Sequence, residues 1–292
     1  MVQSQKGAVL ITGTSTGVGQ AAALLLDKKG YRVFATVRRQ KDAESLKQEA
    51  SENLTPILMD ITKGEEIKFA AEIVSKAVGD EGLIGLVNNA GLLLDGPVEY
   101  LAIDDLKWQF EVNVFGQIAV TQAFLPFIRK AKGRIINIGS TGGQISVPFI
   151  SALCASKFAL EAFTDALRME LDPWGIEVIL VEPGSIASAA PDKVEESLRK
   201  NFANMSPEAK GMYGDAYKFF VEGLIRSNRT GMPPEQVAGA ILEALEASKP
   251  KTRYFLSKYQ TSLMLNLISK KLLPDRSFDA KILKRWKLKN HS

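Results

Sequence analysis

The chain has 292 residues, 46% of them apolar and 24% charged, with 37 basic and 33 acidic side chains for a net charge of +4. That composition excludes a disordered or fibrous chain and is ample for a buried core. A single cysteine, Cys154, excludes an intrachain disulfide framework and fits a reducing, cytoplasmic setting, while a single histidine, His291, argues against a histidine triad or a zinc centre, so no metal site is expected.

Short apolar runs alternate with helical patterns over the first 185 residues or so. The first run, Ala8–Thr12, leads into Thr12-Gly13-Thr14-Ser15-Thr16-Gly17-Val18-Gly19 and then a helix predicted over Val18–Lys29. Glycines between a buried strand and a helix let the backbone turn tightly and approach a pyrophosphate, whose charge the helix N-terminus favours. Gly13, Ser15, Thr16, Gly17, Val18 and Gly19 are therefore candidate cofactor-binding residues.

The second strand, Arg32–Val37, ends in Arg38-Arg39 rather than in the acid that holds the ribose 2′-hydroxyl of NAD. An arginine there can hold a 2′-phosphate instead, so the expected cofactor is NADP(H), with Arg38 the first contact and Arg39 the second. A helix over Asp42–Ala50, a strand Thr55–Met59, a helix Glu65–Val78 and a strand Leu83–Asn88 follow. One long helix is predicted over Asp104–Arg129, then a strand Arg134–Ile138, a helix Ser151–Leu171 and a strand Glu177–Glu182. Continuous apolar strands alternating with helices predict an α/β fold, a single doubly wound parallel sheet covered on both faces, with its ligand site at the carboxyl ends of the strands.

Residues 190–230 break this rhythm and are placed to form a helical lid before the next helix, Pro233–Ala247. From Lys270 onward the chain carries a net +6, leaving −2 for the rest, so the body gives no support to a nucleic-acid partner. Those charges are mixed with Leu272, Leu273, Ile282, Leu283, Trp286 and Leu288. The tail reads either as a helix packing its apolar side on the body or as one lying on an anionic membrane surface. No apolar run reaches the roughly 18 residues of a membrane span. The resulting division is a domain over residues 1–257, lid included, and a basic amphipathic extension over 258–292.

Taken together, these motifs resemble the short-chain dehydrogenases/reductases over roughly residues 6–257. Thr12-Gly13-x-x-x-Gly17-x-Gly19 has that family's spacing, Asp60-Ile61 is similar to its adenine-binding pair, and Asn88-Asn89-Ala90-Gly91 matches its cofactor-contacting motif. The resemblance implies cofactor contacts from Asp60, Ile61, Asn89, Ala90, Gly91, Lys157, Pro183, Gly184, Ile186 and Ser188, and catalytic roles for Asn113, Ser140 and Lys157. Phe34–Arg38, Ser206–Gly214 and Pro250–Tyr254 are similar to retinol and hydroxysteroid dehydrogenase-like members, which implies a small lipophilic alcohol or ketone as substrate. Met205, Met212, Tyr213, Tyr217, Phe219 and Phe220 in the lid suit such a substrate, or else pack the lid onto the body. The family's assembly implies a homodimer or homotetramer built on the two long helices, the second carrying Phe158, Leu160, Phe163, Leu167 and Leu171.

One position departs from the family pattern. The tyrosine expected four residues before Lys157 is Leu153, in Ser151-Ala152-Leu153-Cys154-Ala155-Ser156-Lys157. Leucine has no proton to transfer, and loss of a positioned general acid costs roughly 10²- to 10⁴-fold in rate. Three readings follow: hydride transfer to a carbonyl or conjugated double bond with the proton drawn from Ser140, a water near Lys157 or the substrate; NADP(H) binding without turnover, as a sensor or scaffold; or an introduced substitution. Ser151, Cys154, Tyr213 and Tyr217 are minor candidates for the missing donor, whereas Asp95, Glu99 and Glu182 read as solvated or structural.

Overall fold

The computed structural model describes residues 6–188 and 191–285, so Trp286, Lys287, Leu288, Lys289 and His291 lie outside the described residues, as do Ala190 at the start of the expected lid and Met1–Gln5 of the expected domain. Strands β1 (Lys6–Ile11), β2 (Tyr31–Val37), β3 (Leu54–Leu58), β4 (Gly85–Asn88), β5 (Arg134–Ile138), β6 (Glu177–Pro183) and β7 (Arg253–Leu256) pair in parallel in the order β3-β2-β1-β4-β5-β6-β7. The order reverses between β1 and β4, and ligands of doubly wound sheets sit at the carboxyl edge of such a point.

The alternation Val9-Leu10-Ile11 shows why the strands are apolar throughout. Val9 and Ile11 pack on one face with α1 (Gly17–Lys28), and with Ile241 and Ala244 of a helix spanning Pro234–Glu246. Leu10 packs on the other face with Ile67, Ala70 and Val74 of a helix spanning Gly64–Val78. Successive side chains of a strand point to opposite faces, and here both faces are covered.

The remaining helices follow in chain order: α2 (Gln40–Glu49), α3 (Gly64–Val78), α4 (Ile103–Phe110), α5 (Gln117–Ala131), α6 (Ser151–Leu171), α7 (Pro191–Asn204), α8 (Pro207–Thr230), α9 (Pro234–Glu246), α10 (Gln260–Leu272) and α11 (Asp275–Arg285). Two expectations are corrected here. The helix expected over Asp104–Arg129 is interrupted by a wide π turn, Glu111–Gly116, that joins α4 to α5. A seventh strand, where the sequence showed only the family-like segment Pro250–Tyr254, forms as Arg253–Leu256 pairs with Leu180–Pro183.

The segment expected as a lid forms two helices, α7 and α8, with their own core of Leu198, Tyr217, Phe220, Val221 and Ile225 around Phe149. Tyr217 and Phe220 thus pack the lid onto the body, while Met212 stays exposed. Among the described residues of the tail, none of α10 is buried, Leu263, Met264 and Leu267 are half-buried, and Phe278 of α11 is buried.

Candidate active site

The glycine loop between β1 and α1 uses its glycines in different ways. Gly13 turns at φ +68°, and a Cβ there would lie 2.8 Å from the Ala90 Cα; a Cβ on Gly19 would collide with the Gly13 carbonyl. Gly17, at φ +63°, has no atom within 4 Å of the place a Cβ would take. Two glycines therefore permit close packing and the middle one faces open space, which is what a backbone approaching a pyrophosphate requires. Thr16 stands at the start of α1 without a side-chain bond to its first turn, Ser15 is half-buried beside it, and Val18 is buried in the helix.

Asn89 fixes this loop to the end of β4. Its Nδ2 donates to the carbonyls of Thr12 (2.9 Å) and Gly13 (3.0 Å), and the Thr12 hydroxyl accepts from the N–H groups of Asn89 (2.9 Å) and Ala90 (3.0 Å). At the end of β2, Arg39 is engaged in a two-point ion pair with Asp42, at 2.8 and 2.9 Å, whereas Arg38 is exposed. Asp60 follows β3 and accepts from the Thr62 N–H (3.0 Å) and hydroxyl (2.8 Å). Burial raises its pKa, but those two bonds and the charges of Arg38 and Lys63 outweigh it and hold the carboxyl below its ordinary range. Ile61 is buried behind it.

Asn113 lies inside the π turn. Its Oδ1 accepts from the Leu92 N–H (2.8 Å) and its Nδ2 donates to the Leu92 carbonyl (2.9 Å) and the Ser156 hydroxyl (3.2 Å). Gln109 and Gln117, four residues before and after, grip the same loop: Gln109 bonds Leu92 and Leu94, each at 2.8 Å, and Gln117 bonds the Ala90 carbonyl at 2.8 Å. The wider turn offsets the rotational drift that residues four apart show in an α-helix, so all three amides face the loop. Sequence reading missed Gln109 and Gln117; amides spaced by four around Asn113 are the signal that points to them.

Ser140 follows β5 and its Oγ accepts the Gly142 N–H at 3.0 Å, which leaves its own proton for a ligand oxygen. Lys157 is buried on α6, with its Nζ donating to the Ile138 carbonyl at 2.6 Å. Burial lowers its pKa to about 8, partly offset by the charge of Glu161. Leu153 stands one turn earlier on the same helix face, half-buried, and its carbonyl accepts from the Ser156 hydroxyl (2.8 Å) that Asn113 also contacts. Pro183 ends β6, the Gly184 N–H reaches the Leu256 carbonyl (2.8 Å), Ile186 bridges Met232, and the Ser188 N–H bonds the Asn228 carbonyl (2.8 Å) at the end of the lid.

The other proton-donor candidates have other roles. Tyr213 donates to Glu99 (2.8 Å) and Tyr217 to Asp95, so both lid hydroxyls serve the loop after β4. Cys154 is buried, and burial pushes its thiol up, away from thiolate. The Ser151 hydroxyl is buried and makes no hydrogen bond.

Behind Lys157 lies a charge cluster that the sequence did not reveal. Glu161 and Glu182 are buried with their carboxyl groups facing each other, and Gln144 donates to both, at 2.8 and 3.0 Å. Arg253, from β7, reaches Glu161, Glu182 (3.3 Å) and Asp165 (2.8 Å). Burial, then the charge and hydrogen bond of Glu161, push Glu182 up to about 8, against the pull of Arg253 and Gln144. Burial likewise pushes the Glu161 carboxyl up, against the pull of Arg253.

Comparison with known proteins agrees with this arrangement. A family model described as short chain dehydrogenase matches residues 7–199. Retinol dehydrogenase 5 of Mus musculus is 38% identical over 255 residues, which cover 84% of this chain and 79% of that protein. The NADPH-dependent 3-dehydrocapnine reductase of Ornithobacterium rhinotracheale is 34% identical over 275 residues, covering 92% of this chain and 94% of its own. The crystal structure of a short-chain dehydrogenase from Streptomyces avermitilis superposes with a TM-score of 0.75 at 29% identity, covering 98% and 97% of the two chains.

Proposed function

Since this chain belongs to the short-chain dehydrogenase family, whose members are NAD(P)-binding oxidoreductases, we propose that it binds NADP(H) and moves hydride to or from an oxygen-bearing carbon, or a conjugated double bond, of a small lipophilic substrate. The observation that carries the cofactor choice is the pair of arginines at the end of β2: Arg39 is tied to Asp42, which leaves the exposed Arg38 guanidinium to meet a 2′-phosphate. A relative named for NADPH dependence supports the same choice.

The residues present fit that cofactor. The open approach at Gly17 suits the pyrophosphate, Asp60 and Ile61 the adenine, and Asn89, Ala90 and Gly91 the ribose side of the crevice. Lys157 suits the nicotinamide ribose, and Pro183, Gly184, Ile186 and Ser188 the carboxamide edge. When bound, the nicotinamide supplies or accepts the hydride.

The chain's own contribution is to the proton. Ser140, fixed by the Gly142 N–H, aims its hydroxyl proton at the substrate oxygen. Lys157, with a pKa lowered to about 8, parts with a proton more readily than an exposed lysine and delivers it through water. Asn113 holds the loop that borders this space by its paired bonds to Leu92. Leu153 supplies neither proton nor hydrogen bond, so turnover is expected to be slow relative to an enzyme with tyrosine there. The same residue favours a second reading, an NADP(H)-binding protein that senses or scaffolds without turnover. The exposed aromatic side chains Trp108, Phe115, Phe158 and Phe163 on α4 to α6 support a homodimer or homotetramer.

The test is fluorescence titration of wild type and Leu153→Tyr with NADPH and NADH, followed by assays with retinal, a steroid ketone and an enone. Turnover in the wild type supports the enzyme; turnover only in Leu153→Tyr supports the binder. Absence of NADPH binding in both would refute the cofactor assignment.

A further inference from the structure

We propose that the hairpin α10–α11 is a docking surface for an anionic lipid bilayer. Helix α10 carries Leu263, Met264, Leu265, Leu267, Ile268 and Leu272, yet none of its residues is buried. Leu265, Ile268 and Leu272 keep 59%, 53% and 76% of their surface exposed, and their spacing of three and four puts them on one stripe. Tyr259, Leu273 and Leu283 extend the exposed apolar surface. A stripe of this kind normally faces a core; here it faces outward.

The hairpin is braced against itself. Phe278 of α11 is buried beneath the Lys270 ammonium, 5.4 Å from its ring, Lys270 pairs with Asp275 at 2.8 Å, and Lys281 donates to the Ser269 hydroxyl at 3.3 Å. Its footing lies where β7 ends: Gln260 donates to the Phe255 carbonyl (3.0 Å) and Lys258 to the carbonyl of Thr230, the last residue of α8 (3.0 Å). Leu256, just before it, accepts from Gly184 at the cofactor edge. The surface thus springs from the carboxyl edge of the sheet, beside the end of the lid.

Charge decides the occupant. Residues 258–285 carry seven basic and two acidic side chains, and Lys258, Lys271, Arg276, Lys281 and Lys284 are exposed. Two copies of so basic a hairpin repel one another, whereas aliphatic side chains ringed by lysines fit both the acyl boundary and the anionic headgroups of a bilayer. At 13 residues α10 is about 20 Å long, short of the ~30 Å hydrocarbon core, so it lies along the interface. Among the described residues no helix is long and apolar enough to cross a membrane.

The experiment is flotation of the full-length protein with vesicles of phosphatidylcholine alone and of phosphatidylcholine mixed equally with phosphatidylglycerol. Binding is expected to the anionic vesicles, weakened by added salt, and to fall at least about tenfold both in L265S/I268S/L272S and in K271E/R276E/K284E. These positions are exposed, so both variants should keep the wild-type melting temperature and NADPH affinity. No binding by the wild type, binding that is indifferent to lipid charge, or full binding by folded variants would overturn the proposal. So would loss of a dimer in L265S/I268S/L272S by light scattering without any vesicle binding, which would assign the stripe to a second copy of the chain.

Discussion

Tyr217 of the lid donates its hydroxyl to Asp95, 122 residues earlier in the chain, and Asn201 of α7 donates to the other carboxylate oxygen at 3.1 Å. Both lid helices are thus pinned by one buried carboxylate on the loop that Gln109 and Asn113 hold from beneath. Asp95→Ala leaves a buried tyrosine hydroxyl without its acceptor, an expected cost of about 1–3 kcal/mol. Protease cleavage within residues 191–230 should accelerate, with a lower urea midpoint. Unchanged cleavage would mean that the apolar core around Phe149 closes the lid unaided.

Arg38→Ser removes the guanidinium proposed to meet the 2′-phosphate and leaves Asp60 without one of its two cationic neighbours. A charge-assisted bond is worth about 1.5–3 kcal/mol, so NADPH affinity should fall roughly 10- to 100-fold while NADH affinity changes little. Equal losses for both cofactors would place Arg38 outside the phosphate contact. Arg39→Ser, whose partner is Asp42, should change either affinity far less.

Lys157 should make cofactor binding pH-dependent. Its pKa is lowered to about 8 by burial, so the charge that draws a ribose or phosphate oxygen is present below pH 8 and lost above it. NADPH affinity is expected to weaken as pH rises through about 8 in the wild type and to be low and flat in Lys157→Met, by isothermal titration calorimetry across that range. A wild-type affinity that stays level through pH 8 would remove Lys157 from cofactor binding.

Glu182 gives a stability test. Its folded-state pKa is raised to about 8 from an ordinary 4.5, so the folded chain keeps a proton that the unfolded chain releases. The group's contribution is fully present below about pH 4.5 and is lost as pH rises through about 8. Glu182→Gln keeps a neutral donor facing Glu161 at every pH. Its melting temperature should therefore decline less than that of the wild type between pH 5 and 8, and parallel curves would show that Glu182 does not keep that proton.

Much of the site was legible because it is local in sequence. The glycine loop, Asn89, Asp60 and Lys157 each sit within a few residues of a strand or helix whose apolar pattern is plain, and helix α6 runs over the expected Ser151–Leu171. What escaped reading depends on partners far along the chain. The strand Arg253–Leu256 exists because β6 offers it an edge, and four residues, of which Tyr254 is buried and the other three half-buried, carry too little pattern to announce it. The same distance hid the cluster of Glu161, Glu182 and Arg253, of which only Glu182 stood out in the sequence, as solvated or structural, and the bond between Tyr217 and Asp95. The apolar tail was legible as amphipathic, but whether its leucines meet the body is a matter of tertiary placement.

The π turn at Glu111–Gly116 has a consequence for how this helix tolerates change in length. Deleting one residue there would let the turn relax to a regular α-helix while the segments on either side keep their facing, because a π turn holds about one residue more than an α turn. A deletion on the far side, after Gln117, would instead displace Val120 and Phe124 from the core. The helix therefore carries two registers, one set by a polar loop and one by an apolar sheet, and the wide turn is the spacer that lets a single chain obey both.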